Sequence, residues 1–408
     1  MVKSLKKKFS EAPSSLLLVA LLLTALGLLT LQSISNIQSG SGSNTFLKQL
    51  AFLGPALLIF LVVFLTPERV IHKYIYTIYG LVIIAVILPY FGNRIAGTYR
   101  WIQFGLPFGF QPSELAKFVI VLTLARYLSD HKLQQDNFTA NIFPFFIVLF
   151  PALIVLKQPD LGTAAVIIIP VIPMLYWSGS RPYHLFLIIA PIVTILAAFN
   201  VISFAIWALV MGIIMVLSRP RLWHGVSIYF SNIFLGLLTP VIWNLLKPYQ
   251  QKRVQTLFNP DLDPLGAAYQ IIQSKTALGS GGIWGRGWGQ GTQTHLKFLP
   301  VQESDFIVSV IGEELGFITV LIMILLFALL IGKMVKLAYE SKERFSGLVL
   351  IGIASIFLMH VFVNCAMTTG MIPVKGLPLP FVSYGGSFLV SSYIMIGLCM
   401  NIGGKKEL

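Results

Sequence analysis

Residues 306–333 read FIVSVIGEELGFITVLIMILLFALLIGK, and beyond Glu314 no charge interrupts the run until Lys333. About 20 apolar residues cross the hydrocarbon of a bilayer as a helix, and this stretch supplies them. Working outward, similar runs bounded by charge, Gly and Pro fall at 14–34, 47–66, 73–91, 113–129, 141–157, 162–178, 183–199, 203–218, 225–246, 346–368 and 380–403. The pattern predicts an all-α polytopic integral membrane protein of about twelve transmembrane helices, with ten as the alternative count. Pro55, Pro170 and Pro173 sit inside these runs, a placement that membrane helices tolerate better than soluble ones. Composition agrees. Of 408 residues, 56% are hydrophobic and only 11% charged, against about 25% charged in a soluble domain. A soluble enzyme, a secreted disulfide scaffold and a disordered chain are excluded, and residues 1–408 read as a single membrane domain.

The net charge of +14 could suggest nucleic acid, but the Lys and Arg are scattered through short loops, as membrane orientation requires. With the N-terminus in the cytoplasm, 17 of the 29 Lys and Arg fall on the cytoplasmic side, from Lys3, Lys6, Lys7 and Lys8 to Lys405 and Lys406. Most of the other twelve lie in two long outer loops, where the rule is weak. An N-in, C-in topology with an even number of crossings follows. The first apolar run, Ser14 to Leu31, is too long for a signal h-region and reads as a retained helix. Cys365 and Cys399 lie in apolar stretches and form neither a disulfide framework nor a metal-type spacing.

The outer face carries the chemistry-bearing residues. Outer segments run near 92–112, 247–305 and 369–380, the second being the large extracytoplasmic loop, and eight of the 15 carboxylates lie in or beside them, among them Asp261 and Asp263. Glu114, in a helix opening QPSE, is three residues from Lys117 and shares its face. The pair reads either as a functional couple at membrane depth or as a structural ion pair. Arg100 and Trp101 suit a lipid head group, or serve as an interfacial anchor. Asp160 could bind a cation or a sugar hydroxyl, or cap the following helix.

Residues 279–291, GSGGIWGRGWGQG, hold seven glycines in thirteen. Such a run can converge backbone N–H groups on an anion; with Lys275 and Arg286 near it, a diphosphate is a fitting guest, and plain flexibility is the alternative. Asp305 stands at the mouth of the 306–333 helix, where its charge state is tunable. It reads equally as a general base or as an N-cap. Glu313 and Glu314, more than two turns deeper, suit pairing with a buried cation or backbone. Residues 368–387 form a Pro/Gly-rich entry into the last helix, in which Lys375 either meets phosphate or snorkels.

Taken together, the segments GTYRWI (97–102), QPSE (111–114), KQPDLGT (157–163), PLGAAYQIIQS (264–274), GTQ (291–293), SDFI (304–307) and PLPFVSYGGS (378–387) resemble the SEDS family of shape, elongation, division and sporulation proteins. They stand in family order across almost the whole chain. The segment GTQTHLKFLP (291–300) is similar to the elongation branch rather than the division branch. Family motif positions match Arg100, Trp101, Glu114, Lys117, Asp160, Ser274, Lys275 and Ser387, and the family's essential carboxylate matches Asp305. Two departures stand out: Val301 occupies a position where the family usually has Glu, with Glu303 close by, and members commonly have ten spans.

The resemblance implies a peptidoglycan glycosyltransferase in the bacterial cytoplasmic membrane, with its active site on the extracytoplasmic side, serving cell elongation and rod shape. It would polymerise lipid II into β-1,4-linked strands by inverting attack, with undecaprenyl diphosphate as leaving group. Asp305 would act as general base, and Lys117, Lys275, Arg286 and Lys375 would meet the diphosphate. A divalent cation, Mg or Mn, is the candidate cofactor. The implied partners are lipid II, undecaprenyl-diphosphate-linked glycan, a class B penicillin-binding transpeptidase and elongation-complex membrane proteins; nucleic acid is not among them. The competing readings are a lipid II flippase and a non-catalytic scaffold for the transpeptidase.

Overall fold

The computed structural model describes residues 12–37, 44–92, 98–102, 109–131, 138–218, 222–246, 248–259, 262–264, 266, 268–296 and 298–404. Of the positions singled out above, Lys3, Lys6, Lys7, Lys8, Gly97, Asp261, Lys405 and Lys406 lie outside them. The helices are α1 (Ser15–Ile37), α2 (Thr45–Leu65), α3 (Glu68–Ile87), α4 (Pro112–Asp130), α5 (Phe138–Lys157), α6 (Leu161–Ile168), α7 (Val171–Trp177), α8 (Pro182–Ala197) and α9 (Val201–Ser218). They continue with α10 (Leu222–Leu237), α11 (Thr239–Leu245), α12 (Pro248–Phe258), α13 (Tyr269–Gly281), α14 (Thr292–His295), α15 (Ile307–Glu340), α16 (Arg344–Thr368) and α17 (Gly386–Gly403).

Each apolar run of the sequence has its helix. Among the described residues, seven helices are long and apolar enough to cross a membrane, and α10 with α11, bent by 49°, would make an eighth. Residues 144–157, 161–177 and 182–197 form shorter apolar helices, and α4 carries Glu114, Lys117, Arg126 and Asp130 in its 19 residues. Proline accounts for the main departures from the expected bounds. The run at 162–178 divides before Pro170, which caps α7, and the last helix starts at Gly386 rather than at 380, because Pro378 and Pro380 break the regular hydrogen-bond ladder.

Burial separates a centre from a rim. In α17, 89% of the most apolar window is buried, against 11% in α9. The central helix lies so close to α2 that a Cβ on Gly397 would stand 2.9 Å from the Phe60 carbonyl oxygen. At the rim, α8, α9 and α10 build a small core of their own around Leu187, Met211 and Met215. They are joined by Thr194, which accepts from Trp207 Nε1 at 2.9 Å and donates to Asn232 Oδ1 at 3.2 Å. Asp305, Glu114, Lys117 and Ser387 lie on or beside the central helices α4, α15 and α17.

Candidate active site

Four chain segments converge beside the start of α15. Asp160 caps α6, its Oδ1 accepting from Thr163 N at 3.1 Å. Its Oδ2 faces Gln111 Nε2 at 3.3 Å and Arg100 Nε at 3.6 Å. Arg100 also donates to the carbonyls of Gln158 and Pro159, so the 98–102 segment is pinned to the entrance of α6. Trp101, beside it, packs on Gly109, where a Cβ would lie 3.1 Å from the ring. Asp160 is thus both a cap, as one sequence reading had it, and half of an ion pair with Arg100.

The segment Lys375–Leu377 runs between this cap and Asp305. A Cβ on Gly162 would stand 3.0 Å from the Lys375 carbonyl oxygen, and one on Gly376 would stand 3.3 Å from Asp305 Oδ2. Gly376 has φ +66, a conformation that glycine adopts without strain, and its bare Cα leaves room beside the carboxylate. Asn364, buried in α16, ties the two sides together: its Nδ2 donates to the Asp305 carbonyl at 3.1 Å and to the Leu377 carbonyl at 2.7 Å. Ser383 Oγ donates to the Ser304 carbonyl.

Asp305 itself is not a helix cap. α15 opens at Phe306 with no side-chain cap hydrogen bond, and the one hydrogen bond found at the Asp305 carboxylate among the described residues comes from Ser304 Oγ at 2.9 Å. Burial pushes this carboxyl up to about 6; the Ser304 hydroxyl opposes the shift, the charge of Glu303 adds to it, Arg100 opposes it and Asp160 adds to it. The turn that presents Asp305 is closed by Ser304 N and Asp305 N on the Val301 carbonyl, with Val301 at φ +54. For a β-branched residue that is strained backbone. Glu303, two residues further on, supplies a carboxylate near Asp305, and its carbonyl accepts from Tyr384 N at 2.8 Å.

The Glu114–Lys117 pair lies inside the bundle. Lys117 Nζ donates to Glu114 Oε2 at 2.8 Å, meets His360 Nε2 at 3.1 Å and stands 4.8 Å from the Phe388 ring centre. His360 Nδ1 lies 2.9 Å from the Pro378 carbonyl oxygen. A carbonyl can only accept, so Nδ1 carries the proton and Nε2 receives the lysine's. With Lys117 1% exposed, it clasps α4, α16 and the 378 turn instead of reaching a diphosphate. His360 and Asn364 belong to no quoted motif; the one signal for them was a polar residue inside an apolar span.

The glycine-rich run corrects the expectation of an anion cradle. Several of its N–H groups are already engaged: Arg286 and Gly287 donate to the Glu313 and Glu314 carbonyls at 2.9 and 3.0 Å, and Gly289 donates to Glu314 Oε2. α15 is broken opposite, at Gly316 with φ 80 and ψ 175, and a Cβ there would meet Gly285 N at 2.3 Å. The anions held by the run and its continuation into α14 are the protein's own. Glu313 accepts from Thr292 Oγ1, Gln293 N, Thr294 N and Thr294 Oγ1, and Glu314 accepts from Ser33 Oγ at 2.8 Å. Arg286 serves this interlock, donating to the Ser280 carbonyl and Thr292 Oγ1.

Ser274 is fully buried, bonded to Ser309 Oγ at 2.7 Å and the Thr368 carbonyl at 2.6 Å, so it joins α13 to α15 and α16. Its neighbour Lys275 is exposed and lies over Gly370, where a Cβ would meet Nζ at 2.8 Å. Lys375 is exposed and Ser387 is buried in the first turn of α17. The structure therefore gathers Arg100, Asp160, Asp305 and the Lys375 segment, and puts Glu114, Lys117, Ser274 and Arg286 behind or below them as supports.

Comparison with known proteins identifies the family. The FtsW/RodA/SpoVE family model, described as cell cycle protein, matches residues 13–207 and 185–407. The chain is 33% identical to the peptidoglycan glycosyltransferase MrdB of Escherichia coli K12, over 95% of this chain and 94% of that protein. It superposes with a TM-score of 0.72 and 25% identity on a chain from a peptidoglycan synthase complex, covering 97% of this chain and 98% of that one. The rod shape determining protein RodA of Thermus thermophilus shares the fold at TM-score 0.64 and 23% identity, with 97% and 98% covered. The chain belongs to the FtsW/RodA/SpoVE family of integral membrane proteins, the SEDS family, as a RodA-like member.

Proposed function

We infer that the protein is a peptidoglycan glycosyltransferase that polymerises lipid II on the extracytoplasmic face of the bacterial cytoplasmic membrane during cell elongation. The observation that carries the mechanism is Asp305: a carboxylate at a helix mouth, not used as a cap, with one hydrogen bond and a pKa of about 6. A general base works best when its pKa lies near the operating pH. The acceptor's sugar 4-hydroxyl is too weak an acid to attack unaided. Asp305 takes its proton as the oxygen displaces undecaprenyl diphosphate from the anomeric carbon with inversion. One carboxylate is sufficient because the leaving group departs as an anion without protonation.

Cations facing the outgoing charge strengthen that step where water is excluded. Arg100, Lys275 and Lys375 are the basic residues in this role, while Lys117 fixes the frame behind them. Among the described residues no group of three His, Cys, Asp or Glu side chains could hold a metal ion. A Mg or Mn ion would arrive on the diphosphate oxygens. A class B penicillin-binding transpeptidase is the partner that the likeness to a peptidoglycan synthase complex supports.

Lipid II polymerisation by the purified chain, with and without a cognate transpeptidase, tests the reading. Glycan ladders from wild type that vanish in a folded Asp305→Asn variant are expected. Wild type that makes no glycan but moves labelled lipid II across liposomes would establish the flippase instead.

A further inference from the structure

The tip of the glycine-rich run presents apolar side chains outward. Ile283 is 60% exposed and Trp284 is 80% exposed. The backbone around them, in contrast, is in part tied back onto the protein. Gly285, Arg286, Gly287, Gly289 and Gln290 donate to Gly281 O, Glu313 O, Glu314 O, Glu314 Oε2 and Gly287 O, and the Gly282 and Ile283 carbonyls accept from Phe317 N and Ile318 N. Non-helical backbone at membrane depth gains from each such bond, because no solvent is there to take its polar groups.

Two helices measure the depth independently. On α15 the uncharged stretch from Leu315 to Gly332 rises about 27 Å at 1.5 Å per residue, enough to fill a hydrocarbon layer of ~30 Å. Gly316, the residue the run packs on, therefore marks its outer edge. On α1, Trp288 Nε1 donates to the Leu29 carbonyl at 3.0 Å. Leu29 lies eight residues inside the outer end of that helix, roughly 12 Å along its axis. Exposed apolar residues adjoin the run on both helices: Phe317 on α15, whose N–H meets the Gly282 carbonyl, and Leu29 on α1.

We propose that residues 282–288 form a re-entrant wedge seated at the outer hydrocarbon boundary of the bilayer, with Ile283 and Trp284 against lipid chains. Lipid is favoured over a protein occupant because the tip continues the apolar faces of two spans. The one charge in the wedge, Arg286, is tied back to Ser280 and Thr292. The wedge continues α13, so its seat sets the height of Lys275; that consequence, unlike the seat, rests on the function proposed above.

The full-length protein in phosphatidylcholine nanodiscs, with bromines placed either high or low on the acyl chains, provides the test. The chain has seven Trp, so the emission of Trp284 is taken as wild type minus Trp284→Phe, after melting curves show both to be equally folded. That component is expected to lose about half its intensity or more to the high-placed bromines, as an interfacial Trp should, and to resist aqueous iodide. Quenching by iodide with none by bromolipid would overturn the proposal. Bromolipid quenching abolished by adding a class B transpeptidase would assign the surface to that partner and overturn it as well. Neither readout depends on glycan synthesis, so failure here leaves the proposed function standing, and the reverse.

Discussion

Asp305 and Glu313 lie eight residues apart at the N-terminal end of α15, and their surroundings are opposite. Glu313 is fully buried and accepts four hydrogen bonds from the first turn of α14 and its threonines. Asp305 is half-buried and receives one, from its neighbour Ser304. Both acids are removed from bulk water, but only Glu313 is repaid in donors, so it is spent on holding the loop. Asp305 keeps free lone pairs and a raised pKa, the condition of a group available to take a proton. Under-bonding, more than burial, distinguishes the acid proposed as base from the structural one.

Substituting each acid should separate the two roles. Asp305→Asn is expected to lower polymerisation by about 10²–10⁴-fold, the usual worth of a general base. Its melting temperature should stay or rise, because the neutral amide no longer carries a desolvated charge; a matching loss of stability would break the comparison. Glu313→Ala should do the reverse first, destabilising the detergent-solubilised protein by ~3 kcal/mol, since it strands buried donors, as a denaturant titration would show. Removing the nearby cation in Arg100→Gln should move the acidic limb of the pH–rate profile upward by less than about one unit. The sign is fixed because the guanidinium favours the ionised carboxylate. Val301→Gly relieves the left-handed backbone of the turn and should stabilise by about 1 kcal/mol, read as a small rise in melting temperature.

Much of the fold was legible, because hydropathy and proline report directly on helices that lie in lipid. Each apolar run found its helix, and the breaks at Pro170 and before Gly386 are those proline imposes. The site was legible in residue type and less so in role. Asp305 could be read as base or cap with equal right, and the absence of a cap bond at α15 removes the second reading. The glycine run suggested a guest anion, but its partner is the break at Gly316, two helix turns from any motif boundary. Lys117 looked like a diphosphate ligand because its burial between Glu114 and His360 depends on α16, distant in sequence. Asn364 and His360 left little trace, since a lone polar residue in an apolar helix does not announce what it will bind.

The most direct test of the central claim is the pH dependence of lipid II polymerisation by the full-length protein in single turnover. With Asp305 as base, the rate should climb with pH while the carboxyl loses its proton, bend at about 6 and level off above. A profile flat through that range, with Asp305 intact and the protein folded, would contradict the account.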